Sequence, residues 1–198
     1  MSWGVRNSAV SIRADRLIAA VLIAAALVFT PVLVSAQTPA ETPAKDPFGE
    51  EITLEGKPII FIAGGASWDE AFPRLKEKFK ALQEFAKAQN LKVAGPALAI
   101  YTSVNNNGFE YQVALPLAEA PTNLPRGAVT AGQSPVGKAL KFVHRGSYDA
   151  MEPLYEAIRN HLDEKHVDAA GLFVEEYVTD PLATPEDQLQ INIFVLVK

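Results

Sequence analysis

The chain has 198 residues, of which 48% are hydrophobic and 21% charged, an ordinary composition for a globular protein. This length accommodates one domain with a sizeable core and excludes two large domains. The chain contains no cysteine, which excludes disulfides, thiolate metal sites and a cysteine nucleophile.

The N-terminus has the pattern of a secretory signal peptide, residues 1–36. Three arginines precede an apolar run that begins at Leu17, and the segment closes with small residues up to Ala36, after which we predict cleavage. The alternative is an uncleaved membrane anchor, because Leu17 to Ala36 spans 20 residues and about 20 apolar residues cross a bilayer. In either case we expect the folded part outside the cytoplasm, in the periplasm or secreted.

The exported part is predicted to be acidic. The chain has 18 basic and 23 acidic residues, and cleavage removes three basic residues and one acidic residue. The remaining 15 basic and 22 acidic residues give a formal charge of −7. A surface of this sign repels phosphate backbones, so we expect no nucleic-acid partner. We expect membrane association only through the N-terminal segment.

The remainder of the chain divides into a linker and a duplicated domain. Residues 37–52 carry three prolines and no apolar periodicity, which is typical of a flexible tether. Beyond them, short β-branched runs alternate with amphipathic helical spacing in the order strand, helix, strand, strand, and this order occurs twice. The elements are predicted at 57–65, 69–89, 97–104 and 109–116 in the first half and at 138–144, 149–164, 171–178 and 189–197 in the second.

Two spaced motifs support a true repeat. The string Ser-aromatic-Asp-x-x-x-Pro begins at Ser67 and again at Ser147, 80 residues later, and a glycine precedes a tyrosine by six residues at Gly95 and at Gly171, 76 residues apart. The first helix is therefore four residues longer, about one turn. We predict an α+β domain at 53–198, made of tandem duplicated β-α-β-β units. Repeat one is predicted at 53–116, a loop connector at 117–137 and repeat two at 138–198.

The first motif stands where a strand passes into a helix. There the aspartates, Asp69 and Asp149, are expected to cap the helices, and the prolines that follow fit only in the first helical turn. The aromatic residues, Trp68 and Tyr148, either line a pocket or pack in the core, and the sequence leaves both roles open.

The second copy continues into an acidic strand. Alternation along this strand puts Phe173, Glu175 and Tyr177 on one face. A carboxylate flanked by aromatic rings suits an organic cation, which it neutralises while the rings supply cation–π contact. The alternative is an edge-strand glutamate that faces water.

The stretch from residue 140 to residue 181 resembles the GyrI-like effector-binding domain, a family that includes the ligand-sensing parts of AraC-type and multidrug-responsive regulators. The family pattern is a strand with [His/Tyr]-x-Gly-x-Tyr, a helix, a glycine, and then Glu-x-Tyr-x-x-Asp-Pro. It is matched here by His144, Gly146, Tyr148, Gly171, Glu175, Tyr177, Asp180 and Pro181.

The first copy matches the family more loosely, so the resemblance covers about residues 54–198. It implies two units about a pseudo-twofold axis, an antiparallel sheet with two main helices, and a small-molecule cleft between sheet and helices. The ligand-contacting glutamate of the family falls on Glu175, where the first copy has Ala99. The aromatic positions fall on Tyr148 and Tyr177, and we add Trp68, Tyr101 and His144 as candidate ligand contacts.

We therefore expect an exported module that binds amphipathic or cationic small molecules, without a cofactor or a metal. A first alternative is a hydrolase in which Glu175 is the base and Tyr177 or Tyr148 the donor. A second alternative, from the similar duplicated fold of SOUL-type proteins, is haem binding through His144, His161 or His166. No helix-turn-helix pattern precedes the domain in this sequence, so we do not expect direct DNA contact.

Overall fold

The computed structural model describes residues 48–123 and 127–198, and within them the chain forms eight strands and two helices. All paired strands run antiparallel. The predicted signal segment or anchor, 1–36, and the predicted linker as far as residue 47 lie outside the described residues. The strands are β1 Glu50–Leu54, β2 Pro58–Ala66, β3 Ala97–Asn105, β4 Gly108–Pro116, β5 Thr130–Gln133, β6 Gly137–Arg145, β7 Ala169–Tyr177 and β8 Gln190–Val197, and the helices are α1 Ala71–Ala88 and α2 Met151–Glu164.

Both helices begin at the shared motif. A 3-10 turn covers Trp68–Glu70 before α1 and Tyr148–Ala150 before α2, and the proline of each motif lies in the first α-helical turn, where its missing N–H is tolerated. The expectation that the aspartates cap the helices is wrong. Ser147 Oγ accepts from the backbone N–H of Asp149 at 3.3 Å, whereas Ser67 makes no side-chain cap.

One face of each helix packs on the sheet. Apolar residues at three- and four-residue steps form a buried stripe along α1 and a shorter one along α2. They pack against inward-facing side chains of the strands, Ile191 and Ile193 of β8 among them. The buried helical residues are Ala71, Phe72, Leu75, Phe79, Leu82 and Ala86 in α1 and Met151, Ile158 and Leu162 in α2.

The order of the strands shows the duplication and adds one strand to each of the predicted repeats. The order is β1-β6-β8-β7-β3-β4-β2-β5. Exchanging β1 with β5, β2 with β6, β3 with β7 and β4 with β8 reverses this order without changing any pairing. Each half is therefore a β-β-α-β-β unit. The first strand of each unit pairs with the other unit, β1 with β6 and β5 with β2, so the two halves exchange their edge strands.

The pairing register locates the pseudo-twofold axis. Where β3 and β7 meet, Ala97 lies opposite Tyr177 and Tyr101 lies opposite Phe173. A shift of 76 residues, the offset seen in the sequence, converts one of these pairs into the other. The residue pair midway between them is converted into itself, so the axis passes through that pair.

Two predicted boundaries are wrong, both at edge strands. Residues 50–52, predicted as linker, form the first part of β1, and the connector 117–137, predicted as a loop, contains β5. β1 has five residues and β5 has four, and most of their side chains are exposed or partly exposed. Neither strand has the apolar run that marks the central strands, so periodicity did not reveal them.

The sheet curls until its two ends meet. β1 lies at one edge and β2 beside the other, yet only residues 55–57 connect them, and four Cα–Cα steps span at most about 14 Å. The two equivalent connections bond to each other: Lys57 N–H donates to Ser134 Oγ and Ser134 N–H donates to the Lys57 carbonyl, both at 2.9 Å. A second apolar cluster lies on the face away from the helices. Neither helix in the described ranges is long and apolar enough to cross a bilayer.

Candidate functional site

Glu175 lies at the centre of the sheet, on the face that the helices cover. β7 alternates as predicted. Phe173 and Tyr177 pack in the apolar core between the sheet and the two helices, the helix-side core, and Val174 packs in the cluster on the opposite face. The Glu175 side chain is 0% exposed, so the alternative of an edge-strand glutamate facing water is wrong. Across the sheet it lies opposite Ala99 of β3, and this is the pair through which the pseudo-twofold axis passes.

Two tyrosine hydroxyls hold the carboxylate. Tyr155 Oη donates to Oε1 of Glu175 from α2, and Tyr177 Oη donates to Oε2 from β7, both at 2.7 Å. Distances this short are typical of charge-assisted hydrogen bonds to a carboxylate. The Tyr177 ring is itself packed edge-on against Phe79 of α1, with centroids 4.9 Å apart. Each carboxylate oxygen therefore has its own donor, one from the sheet and one from a helix.

A second pair of tyrosines completes the cluster. The hydroxyls of Tyr101 and Tyr148 lie 3.1 Å apart, and the Tyr148 ring stacks on Phe72 of α1 with centroids 4.6 Å apart and planes at 6°. Tyr148 thus reaches from the start of α2 to the start of α1. Tyr148 and Tyr155 are partly exposed while Tyr101 and Tyr177 are buried, so the first two form the outer wall of the site.

Burial governs protonation in this cluster. It raises the pKa of the Glu175 carboxyl, because a charge is disfavoured away from water, and hydrogen bonds from the tyrosines, led by Tyr155, act in the opposite direction. Burial, and then the negative charge of Glu175, raise the pKa of all four tyrosines well above its usual value. The hydroxyls therefore remain protonated and neutral, and they remain hydrogen-bond donors.

The chemistry of the cluster suits a cationic ligand. In the part of the chain that the structure describes, none of the ion pairs involves Glu175, and no group of three His, Asp or Glu side chains is placed to hold a metal. The groups that surround the carboxylate are neutral hydroxyls and aromatic rings. An organic cation can be neutralised by the carboxylate and stabilised by the ring faces.

Trp68 lies outside the cluster. Its side chain is 49% exposed, its Nε1 donates to the Asn105 carbonyl at 3.1 Å, and its ring packs on Phe109 at 5.0 Å. Phe109 in turn lies 5.2 Å from the ring of Tyr101. Of the two roles that the sequence left open, the structure shows a surface ring packed on the edge of the core, connected to the cluster through one intervening ring.

His144 is buried, and its ring bonds to the backbone. Nε2 donates to the carbonyl oxygens of Gly146 and Ser147, at 3.2 and 2.9 Å, and because carbonyls only accept, this nitrogen carries the proton. These carbonyls belong to the turn between β6 and Tyr148. His144 therefore holds the turn from which Tyr148 enters the cluster.

The other two histidines are placed elsewhere. His161 packs edge-on against Phe48 and Phe142, with centroids 5.4 and 5.8 Å away, and His166 follows α2 in the left-handed conformation with φ of 53°. These positions give the haem alternative no support.

Two residues of the cluster were not among the predicted candidates. Phe72 and Tyr155 lie on the inward faces of α1 and α2, a position that is typical of core residues. For Tyr155 a signal was available, because a tyrosine three residues before Ile158 on a buried stripe needs a partner for its hydroxyl. Glu175 is that partner.

Residues 50–198 match the model of the GyrI-like small molecule binding domain. The chain belongs to this GyrI-like family. The match begins at the first residue of β1 and includes the whole sheet and both helices, which confirms the resemblance seen in the sequence. The GyrI-like domain is accordingly a small-molecule-binding domain. No curated protein matches the chain.

Solved structures share the GyrI-like fold at low identity. The C-terminal domain of EcmrR has a TM-score of 0.61 at 12% identity, with 76% of this chain and 96% of that one covered. In the EcmrR–DNA complex the TM-score is 0.64 at 13% identity, and the match covers 76% of this chain and only 57% of the EcmrR chain. A hydrolase from Listeria innocua has a TM-score of 0.57 at 10% identity, with 79% of this chain and 94% of the hydrolase chain covered. SAV2435 bound to tetraphenylphosphonium has a TM-score of 0.53 at 13% identity, with 76% of this chain and 93% of the SAV2435 chain covered.

Proposed function

We propose that this GyrI-like domain binds amphipathic organic cations at Glu175, with the charge of the ligand against the rings of Tyr148 and Tyr155. The observation that carries the proposal is a fully buried carboxylate whose hydrogen-bond partners are tyrosine hydroxyls. A buried charge without a counter-ion is destabilising, and a bound cation removes that penalty. The solved complex of SAV2435 with tetraphenylphosphonium supports the same ligand class.

The ligand enters by displacing the outer wall of the site. Tyr148 is the least anchored member of the cluster, since it is partly exposed and is held by stacking on Phe72 and by one hydroxyl contact with Tyr101. Tyr177 is 1% exposed and packed on Phe79, so it stays in place. Rotation of the Tyr148 ring opens a path to Glu175 and leaves an aromatic face beside the ligand.

The test compares two glutamates that are neighbours in the chain. Glu175→Gln removes the proposed counter-charge, while Glu176→Gln makes the same change on the opposite face of β7, where Glu176 accepts from Asn192 at 2.7 Å. We expect calorimetric titration with tetraphenylphosphonium to show binding to the wild type and to Glu176→Gln. Glu175→Gln should bind at least about tenfold more weakly, which is about 1.4 kcal/mol. The neutral analogue triphenylphosphine oxide should bind weakly to all three proteins. Equal affinity in the wild type and Glu175→Gln would refute the proposal.

We also propose that the domain acts outside the cytoplasm. The support is the N-terminal sequence, in which basic residues, an apolar run and the small residues before Gln37 follow the order of a signal peptide. N-terminal sequencing of the protein recovered from a periplasmic extract should begin at Gln37. Recovery of the protein in the cytoplasmic fraction with Met1 intact would contradict export, and an intact N-terminus in the membrane fraction would favour the anchor.

Hydrolysis is a second candidate, favoured by one observation. A buried carboxyl with a raised pKa beside a tyrosine donor is an arrangement suited to proton transfer. In this candidate Glu175 activates water and Tyr177 or Tyr148 donates to the leaving oxygen of an electrophilic ring. Conversion of styrene oxide to its diol, lost in Glu175→Gln, would support it. Binding without turnover would leave the domain a binding module.

A further inference from the structure

We propose a second binding site, for small uncharged aromatic compounds of the phenol class, in a cavity at the C-terminal end of α1. The cavity has a volume of about 540 Å³, within the usual range of ligand pockets. Tyr177 forms one wall of it, and the hydroxyl of the same residue bonds Glu175. Glu175 and the other tyrosines of its cluster do not line the cavity, so the two sites share only Tyr177, and this inference does not depend on cation binding.

The duplication explains why a cavity exists at this place. Both helices end in the same way: Asn90 after α1 and His166 after α2 have φ of 53°, and the N–H groups of Leu91 and Val167 bond the carbonyls five residues earlier, each at 2.9 Å. These positions are 76 residues apart. The 76-residue shift therefore identifies, for each wall of the cavity, the residue that occupies the equivalent place in the other half.

That comparison shows two small residues where the other half has large ones. Ala97 of β3 corresponds to Phe173 of β7, and Ala86 of α1 corresponds to Leu162 of α2. In the second half the Phe173 ring is part of the helix-side core and lies 6.3 Å from the ring of Tyr155. In the first half both alanines line the cavity. The cavity is thus the space that one phenyl ring and one leucine side chain fill in the other repeat.

Most of the residues that line the cavity are apolar, and two exposed valines are among them. Leu91, Leu115 and the Tyr177 ring line it together with the two alanines, and Val93 and Val178 at its edge are 44% and 43% exposed. Exposed valines beside a concave apolar surface gain from a ligand that covers them. A flat ring of phenyl size fits, since the equivalent space holds a phenyl ring.

The polar side chains of the lining restrict the charge of the ligand. Lys87 and Asp180 carry opposite charges, and Gln83 is neutral. Asp180 Oδ1 already accepts from the N–H of Leu182 at 2.9 Å. A lining of this kind has no net charge and offers both a donor and an acceptor, which suits a neutral ring with one hydroxyl group.

The test fills the cavity with the side chains that the second repeat carries. Ala97→Phe and, as an independent variant, Ala86→Leu are made in the full-length protein, and p-cresol is the probe. In the wild type we expect p-cresol to shift the methyl resonances of Leu91, Val93 and Val178, with saturation in a titration. Each filled variant should retain or raise the melting temperature and lose these shifts. Glu175→Gln should bind p-cresol as the wild type does, even though it loses tetraphenylphosphonium.

The results separate this site from the site at Glu175. Wild-type protein that shows no saturable shifts would overturn the inference, and so would equal shifts in both filled variants. Shifts that disappear in Glu175→Gln and persist in Ala97→Phe would place p-cresol at Glu175 and would also overturn it. A protein that binds p-cresol but not tetraphenylphosphonium would support this site and refute the proposed function.

Discussion

At the scale of single residues, Glu175 is the group on which the proposed chemistry depends, and its protonation is coupled to folding. Its pKa is raised in the folded protein because burial disfavours the charged form. In the unfolded chain the carboxyl titrates near its ordinary value of 4.5. Between these two values the folded protein binds one more proton than the unfolded chain, so the free energy of unfolding falls as the pH rises through this window.

The first prediction follows from that sign. Glu175 contributes stability that is fully present below pH 4.5 and is lost as the pH rises through its folded-state pKa. Glu175→Gln removes this titration, so its stability relative to the wild type should increase with pH. Urea unfolding at a series of pH values measures the difference. Glu110→Gln, at an exposed position of β4, is the control and should retain the wild-type pH dependence. If the free energy of unfolding of Glu175→Gln ran parallel to that of the wild type across the pH series, the raised pKa of Glu175 would be contradicted.

At the scale of elements, the exchanged edge strands join the two repeats. β1 belongs to the first repeat by sequence and pairs with β6 of the second, where Ile52 lies opposite Ala139 and packs against the outer apolar cluster. Its neighbour Glu51 is exposed. The stability of the second repeat therefore depends on a strand that the first repeat supplies.

The second prediction tests this dependence. Ile52→Ala removes apolar contact from the outer cluster and should lower the free energy of unfolding by about 2 kcal/mol. Glu51→Ala, one residue away and exposed, should change it by less than about 0.5 kcal/mol. Chemical denaturation of both variants supplies the comparison. Equal, small effects would show that β1 contributes little to the sheet.

The turn between β6 and α2 explains why the two aromatic residues of the shared motif have different surroundings. Tyr148 enters the cluster, whereas its counterpart Trp68 is half exposed. The 80-residue shift places Gly64 in the first repeat where the second has His144, and only His144 can bond the turn carbonyls. We infer that His144 positions Tyr148.

The third prediction is a double-mutant cycle on that pair. His144→Phe keeps a ring and removes the donor, so it should weaken tetraphenylphosphonium binding a few-fold, in line with about 1 kcal/mol for one hydrogen bond. In a Tyr148→Ala background the same change should have no further effect, because His144 acts through Tyr148. Calorimetric affinities of the four proteins close the cycle. Equal losses in both backgrounds would mean that His144 only stabilises the fold.

The central elements were predictable from the sequence because their periodicity is strong, and the edges were not. The helix spacing and the alternation of Phe173, Glu175 and Tyr177 gave the right faces. β5 was hidden because its residues are mostly exposed and its pairing with β2 is decided by tertiary structure. The same limit applies to the site: the repeat brings Tyr101 and Tyr177 together with Glu175, but the contact of Tyr155 depends on how α2 packs.

At the scale of the whole molecule, the pseudo-twofold axis explains why the carboxylate occurs once. Ala99 and Glu175 are opposite each other on the axis, so a glutamate in both repeats would place two buried carboxylates with Cβ atoms about 5 Å apart. Two such groups cannot both be charged. The duplication therefore keeps a tyrosine in both halves, Tyr101 and Tyr177, but places a small residue, Ala99, opposite the single glutamate.

The last prediction moves the carboxylate across the axis. Ala99→Glu should destabilise the protein by about 3 kcal/mol or more, because it adds both volume and like charge to a closed space. Ala99→Glu combined with Glu175→Ala should recover most of this loss, since Tyr101 stands two residues after the new carboxylate as Tyr177 stands two residues after Glu175.

The recovery should be incomplete for a defined reason. The 76-residue shift that equates Ala86 with Leu162 puts Phe79 of α1 at the place of Tyr155. Phe79 has no hydroxyl, so the relocated carboxylate lacks its helical donor, a loss of about 1–2 kcal/mol. Adding Phe79→Tyr should restore part of that loss and part of the tetraphenylphosphonium affinity. Thermal and urea unfolding of the single, double and triple variants, with a titration of each, measure the series. A double variant no more stable than Ala99→Glu alone would show that the two halves are not interchangeable about Glu175.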